Sequence, residues 1–197
     1  MESKISQILD EIRRLEDELE DSLRTRETQL LYRIEGTKVK FEQAVEKAHH
    51  QLKVGVFPWL RESSLRNFLS SPFIYSMIVP FVILDLWISA YQFICFPLYN
   101  IPKVERRKYI VIDRDRLGYL NVIEKLNCVY CGYSNGLLAY SREIAARTEE
   151  YWCPVKHASK VLDPHRRYAR FADFGDPDGY AQQLAAARKP GNQRAVQ

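Results

Sequence analysis

The sequence predicts a mainly α-helical fold: a long N-terminal coiled-coil-like helix, one membrane-inserted helical segment and a small C-terminal metal-knuckle region with a short strand. Three observations predict it. Apolar residues recur at heptad spacing near the N-terminus, a 29-residue block at 73–101 holds a single charge, and Cys128-x2-Cys131 and Cys153-x3-His157 stand at ligand spacing. The expected divisions are 1–54, an amphipathic or coiled-coil helix; 55–72, an interfacial segment; 73–101, a transmembrane or re-entrant helix; 102–180, the knuckle region; and 181–197, a flexible tail.

Ile5, Ile8, Ile12, Leu15 and Leu19 step by 3, 4, 3 and 4 residues, the seam of a coiled coil with acidic flanks. The seam then shifts to Leu23, Leu30, Ile34, Phe41, Val45, Ala48 and Leu52, a slip of stutter size, and Gly36 weakens the helix locally. One helix from about residue 3 to about residue 54, bent near Gly36, follows from this pattern. Residues 5–52 are the expected surface for a second copy or a helical partner.

Gly55 and Pro58 end that helix. Trp59, Leu60, Leu65, Phe68 and Leu69 with Arg61 and Arg66 then form a short amphipathic stretch of the kind found at a membrane interface.

The apolar block FIYSMIVPFVILDLWISAYQFICFPLYNI exceeds the ~20 residues needed to cross a bilayer. Its one charge, Asp85, is costly at mid-bilayer and must be protonated, paired or turned to water. Lys103, Arg106, Arg107, Lys108, Arg114 and Arg116 follow closely, and this asymmetry places the C-terminal part in the cytoplasm. A single span is the preferred insertion. The alternative is a re-entrant hairpin turning near Pro80 and Asp85, with legs too short to cross.

Charge follows the same division. Residues 1–72 carry a net charge of -1, residues 73–101 one acid, and residues 102–197 a net charge of +6, so the overall +4 is concentrated after the apolar block. The mean hydropathy of -0.34, ordinary for a soluble protein, averages an insert with two charged flanks. Composition excludes collagen-like and wholly disordered chains. The opening MESKISQILDEIRR lacks an apolar stretch, so a signal peptide is not expected. Four cysteines are too few for a secreted disulfide scaffold, and a reducing compartment is expected.

After the block, residues 108–113 (KYIVID) read as a short strand, and Asp115 as the cap of a helix to about Lys125. Asn135-Gly136 reads as a turn before a helix over about 137–151.

Chemistry concentrates in NCVYCGY at 127–133 and WCPVKH at 152–157. A Cys-x2-Cys turn lets two thiolates converge on one ion, and Gly132 permits the tight turn behind them. Cys153 and His157 complete a Cys3His set, which suits one tetrahedral Zn ion, with Fe as the alternative. Four protein ligands leave no open position, so a structural or electron-transfer role is favoured over hydrolysis. Glu143, Glu149 and Glu150 offer a less favoured catalytic reading, with Asp85 as a second candidate. With Arg142 and Arg147 nearby, the three glutamates read chiefly as a solvated salt-bridged face. Arg166, Arg167 and Arg170, interleaved with aromatic residues, suit anionic lipid or an acidic partner rather than nucleic acid.

CVYCGY resembles the first knuckle of rubredoxin, and Cys153-Pro154 resembles the start of its second, with Lys156 where the next thiolate would stand. The resemblance implies a metal knuckle, with an iron electron carrier as the alternative to a zinc scaffold. The wider run from NCVYCGYSNG to EIAARTEEYWCPVKHA is similar to a family of uncharacterised bacterial membrane proteins, which implies membrane residence and no particular reaction.

Overall fold

The computed structural model describes residues 51–189 and, before them, residues 7, 11–12, 14–19, 21–22, 25, 32–35, 38–41 and 49. The chain is mainly helical. It divides into two compact units, residues 1–62 with 113–126, and residues 63–112 with 127–197.

In the first unit, the described residues between 7 and 25 are helical, and Ile12, Leu15 and Leu19 of the heptad seam are exposed. The expected single helix to residue 54 does not form. Tyr32–Glu35 (β1) and Lys38–Phe41 (β2) pair antiparallel, with Tyr32 opposite Phe41 and Ile34 opposite Val39. The sequence alternates apolar and polar residues on both sides of Gly36-Thr37, a period of two that competes with the helical period and wins where glycine has already weakened the helix. Most of the remaining 5–52 seam lies outside the described residues. Val56–Glu62 (α1) follows, with Trp59 half-buried.

The second unit is built on two long helices. Leu65–Ser76 (α2) and Ile78–Leu98 (α3) form a nearly continuous rod of 34 residues, interrupted at Met77. Pro80 lies in the first turn of α3, where its missing N–H costs least. No reversal occurs at Pro80 or Asp85, so one continuous helix stands where the hairpin alternative would turn. Asn100, with φ of 56°, turns the chain back after α3.

The returning strap contains one turn of helix, Arg106–Tyr109 (α4), where a strand over 108–113 was expected. The apolar residues of that run satisfy core contacts instead: Tyr109 and Ile110 pack against the cluster Phe96, Ile101, Val104, Leu137, Tyr140 and Ile144. Among the described residues of this unit no second strand pairs with it, and an isolated strand leaves its backbone groups unmet.

Val122–Trp152 (α5) is one helix of 31 residues, running through the expected turn at Asn135-Gly136. The helix expected from Asp115 to about Lys125 begins only at Val122, and Arg114–Arg116 forms a short 3-10 turn before it. Gly136 serves close packing: a Cβ there would stand 2.5 Å from the Tyr109 carbonyl oxygen and 2.8 Å from the Ile110 Cα. The sequence signal of a turn was thus a signal of tight backbone approach. α5 runs in the same direction as α2 and α3, since Tyr130 reaches the Ile74 carbonyl at 2.7 Å, Tyr133 reaches Asp85 at 3.0 Å and the Tyr151 ring lies 5.1 Å from that of Tyr99.

The C-terminal chain folds back over α5. Val155 and Ala172 form an isolated parallel bridge, and Arg166–Arg170 is a 3-10 turn. Pro177–Ala187 (α6) is capped by Asp176, which accepts from the Gly179 N–H at 2.9 Å. Residues 181–187, expected to be flexible tail, are therefore helix, held by the Arg188 guanidinium 5.3 Å from the Tyr151 ring.

Candidate functional site

The outward face of α3 and the charged strap beside it form the candidate site. At 100° per residue, Val79, Val82, Ile83, Leu86, Trp87, Phe93, Ile94 and Leu98 fall within an arc of about 160°. Each of these side chains is exposed, Trp87 at 79% and Phe93 at 70%. The inward arc packs Phe81, Leu84, Ile88, Tyr91 and Phe96 against the core and carries the helix's polar residues, Asp85, Ser89 and Gln92. A soluble helix turns its apolar stripe inward. Here both faces are apolar, and the polar groups are on the packed side.

Those polar groups are satisfied. Asp85 receives a two-point ion pair from Arg106, Nη2 to Oδ2 at 2.6 Å and Nε to Oδ1 at 3.2 Å, and a hydrogen bond from the Tyr133 hydroxyl at 3.0 Å. The hydrogen bond to Asp85 raises the Arg106 pKa further above its ordinary value. Burial, reinforced by the hydrogen bond to Asp85, pushes the Tyr133 phenol upward, so it remains a donor. Gln92 is buried and clamps the strap: Val104 N–H donates to its Oε1 at 2.6 Å, and its Nε2 donates to the Tyr140 hydroxyl at 2.7 Å. Gln92, Tyr133 and Tyr140 were not singled out from sequence. The available signal was Asp85 and Gln92 seven residues apart in an apolar block, on one face of a helix.

Along the strap, Lys103, Glu105, Arg106, Arg107 and Lys108 are exposed. The Lys103 Nζ lies 4.3 Å from the centre of the Phe93 ring, so its ammonium stands at the rim of the apolar arc. Glu105 pairs with Arg107 at 3.2 Å and Lys108 at 3.3 Å. Its carboxyl is held below the usual carboxylate range by the hydrogen bond from Lys108 and then by Arg107.

The expected metal ligands are not brought together. Cys128 and Cys131 lie one turn apart inside α5, and Cys153 follows its last residue, Trp152. Twenty-five residues of helix separate Cys128 from Cys153 by about 37 Å. The His157 ring stacks on Tyr168 at 6.2 Å. Among the described residues no three His, Cys, Asp or Glu side chains cluster to hold an ion. Gly132 is a buried helix residue rather than the corner of a knuckle. Cys128, Cys131, Cys153 and His157 thus do not converge on one point in this fold. Replacing Cys128 or Cys153 by Ser should leave the midpoint of thermal unfolding within about 2 °C, since both changes are small and away from the packed core. One zinc or iron per chain, lost in either variant together with stability, would show that the helix opens to form the knuckle.

The acidic residues of α5 build something other than a solvated face. Arg167, 1% exposed at its side chain, donates to Glu150 at 2.5 Å and to Glu143 at 3.0 Å. Arg147 donates to the same Glu143 at 2.8 Å and to the Pro102 carbonyl at 2.6 Å. His165 meets Glu149 at 2.9 Å. Arg167 is therefore an interior clip between the C-terminal chain and α5, whereas Arg166 and Arg170 remain on the surface. The basic-aromatic pattern placed all three together because composition does not distinguish a buried arginine from an exposed one. Comparison with protein-family models, curated proteins and solved structures finds no match for this chain.

Proposed function

We propose that this chain is a membrane-anchored scaffold without catalytic activity, attached through α2 and α3, that presents its N-terminal segment to a second copy or a helical protein partner. The observation that carries the reading is the exposed apolar arc of α3. Eight large apolar side chains along one helix form a patch unlike the scattered apolar residues of a soluble surface, and such patches mark membrane or protein contacts. The rod of 34 residues also has the length and composition of a membrane-crossing helix. The exposed heptad residues Ile12, Leu15 and Leu19 support the recruiting role of residues 5–52. The basic strap favours the anionic cytoplasmic leaflet.

Against an enzymatic reading stands the engagement of each candidate group: Asp85 is tied to Arg106 and Tyr133, Glu143 and Glu150 to Arg167, and Glu149 to His165. Purified protein mixed with sealed phosphatidylcholine–phosphatidylserine vesicles should float with the lipid through a density gradient. Protein remaining at the bottom, as it does without vesicles, would reject membrane anchoring.

A further inference from the structure

We infer that α3 does not cross the bilayer: it lies along one anionic leaflet, its apolar arc among the acyl chains and the basic strap against the phosphate headgroups. The inference rests on the membrane reading above and specifies its geometry. Three observations carry it.

The first is the depth at which the charges would stand. A helix of 21 residues is about 32 Å long, close to the thickness of the hydrocarbon core, so an upright α3 would put its midpoint near residue 88 at the bilayer centre. The strap runs beside that same midsection, since Val104 is bonded to Gln92 and Arg106 to Asp85. Lys103, Glu105, Arg106, Arg107 and Lys108, all exposed, would then enter hydrocarbon together. Charges at that depth are tolerated when they face a bundle interior or a water-filled cavity; Arg106 is paired with Asp85, but Lys103, Arg107 and Lys108 stand on the exposed surface.

The second is the parallel course of α5. It follows α3 from Tyr133 at Asp85 to Thr148 at Tyr91, and carries the exposed Arg142, paired with Asp163 at 3.0 Å. An upright α3 would draw this charged helix into the membrane beside it.

The third is the arrangement around the arc. Lys103 stands over Phe93 at one border, and Trp87 is exposed near the other. A lysine whose stem covers apolar surface while its ammonium reaches outward, opposite a tryptophan, is the pattern of a helix lying in the interface plane. The strap's net positive charge is complementary to anionic lipid.

Two native thiols report the junction of α2 with α3 and the far end of α3. Cys131 is exposed beside Tyr130, which bonds the Ile74 carbonyl, and Cys153 is exposed beside Trp152, whose ring lies 5.3 Å from that of Tyr99. Wild-type protein bound to the outside of sealed phosphatidylcholine–phosphatidylserine vesicles is treated with a membrane-impermeant maleimide, and the labelled cysteines are mapped by peptide mass spectrometry. Both thiols are expected to label as fully as after the vesicles are opened with detergent. Replacing phosphatidylserine by phosphatidylcholine, or making the triple variant Lys103→Gln, Arg107→Gln, Lys108→Gln, is expected to weaken binding by about tenfold or more. One thiol protected until the vesicles are opened would overturn the one-sided seating and leave membrane anchoring intact. Binding indifferent to both phosphatidylserine and the triple variant would overturn the headgroup contact. Failure of the wild type to bind any vesicle would overturn the membrane reading itself, and a stable dimer formed instead would assign the arc to a second copy.

Discussion

Replacing Arg167 by Met should destabilise the second unit by about 3–5 kcal/mol, the cost of leaving two half-buried acids without their buried cation. Its guanidinium bridges Glu143 and Glu150, which are one face of α5, to the chain that follows Cys153. Met restores much of the volume but none of the five donors, so the loss falls on electrostatics more than on packing. Glu143 would keep Arg147 at 2.8 Å, whereas Glu150 would lose its 2.5 Å partner. Arg170→Met, at an exposed position three residues away, should change stability by less than about 0.5 kcal/mol. Urea unfolding in a mild detergent, followed by tryptophan fluorescence, measures both. Equal effects for the two variants would mean that the interior clip contributes nothing to the fold.

The second large effect concerns lipid. Ile83→Asp combined with Leu86→Asp should reduce vesicle binding by at least tenfold while leaving helix content unchanged. Both side chains are on the outward arc, at 59% and 69% exposure, and neither belongs to the core cluster. Moving an aspartate from water to bilayer depth costs roughly 3 kcal/mol where a leucine gains a few tenths, and less nearer the headgroups. Two such changes therefore remove several kcal/mol from the membrane-bound state. The matched change on the inward arc, Leu84→Asp, should instead unfold the unit, because that side chain packs on the Phe96 cluster. Circular dichroism and vesicle flotation on the same preparations separate these outcomes. Unimpaired flotation of the outward double variant would show that the arc does not meet lipid.

How much of this was legible depends on which physical signal each element carried. The apolar block announced itself because 29 residues with one charge have few alternatives to helix. The need for a partner at Asp85 was also evident from the cost of a lone carboxylate there. That the partner is Arg106, 21 residues further on, follows from the sharp return at Asn100. Cys128-x2-Cys131 lies on a helix and not in a knuckle turn, and its spacing places two thiols together in either setting. Local spacing does not separate the two cases. The decision came from the helix period sustained through Leu137, Tyr140 and Ile144, which pack on the core. The same sustained period carried α5 through Asn135-Gly136.

By itself, the sequence determined the helical class, the apolar insert and the excess of positive charge after it. Those properties depend on composition and short-range period, and neighbouring residues are enough to establish them. Only tertiary structure decided that Cys128 and Cys153 lie a helix length apart, that Arg167 is interior while Arg166 and Arg170 are not, and that charged residues flank the middle of the apolar helix. Each depends on which segments meet in space. That pairing is selected by burial and by the cost of unmet polar groups, which a linear pattern does not contain.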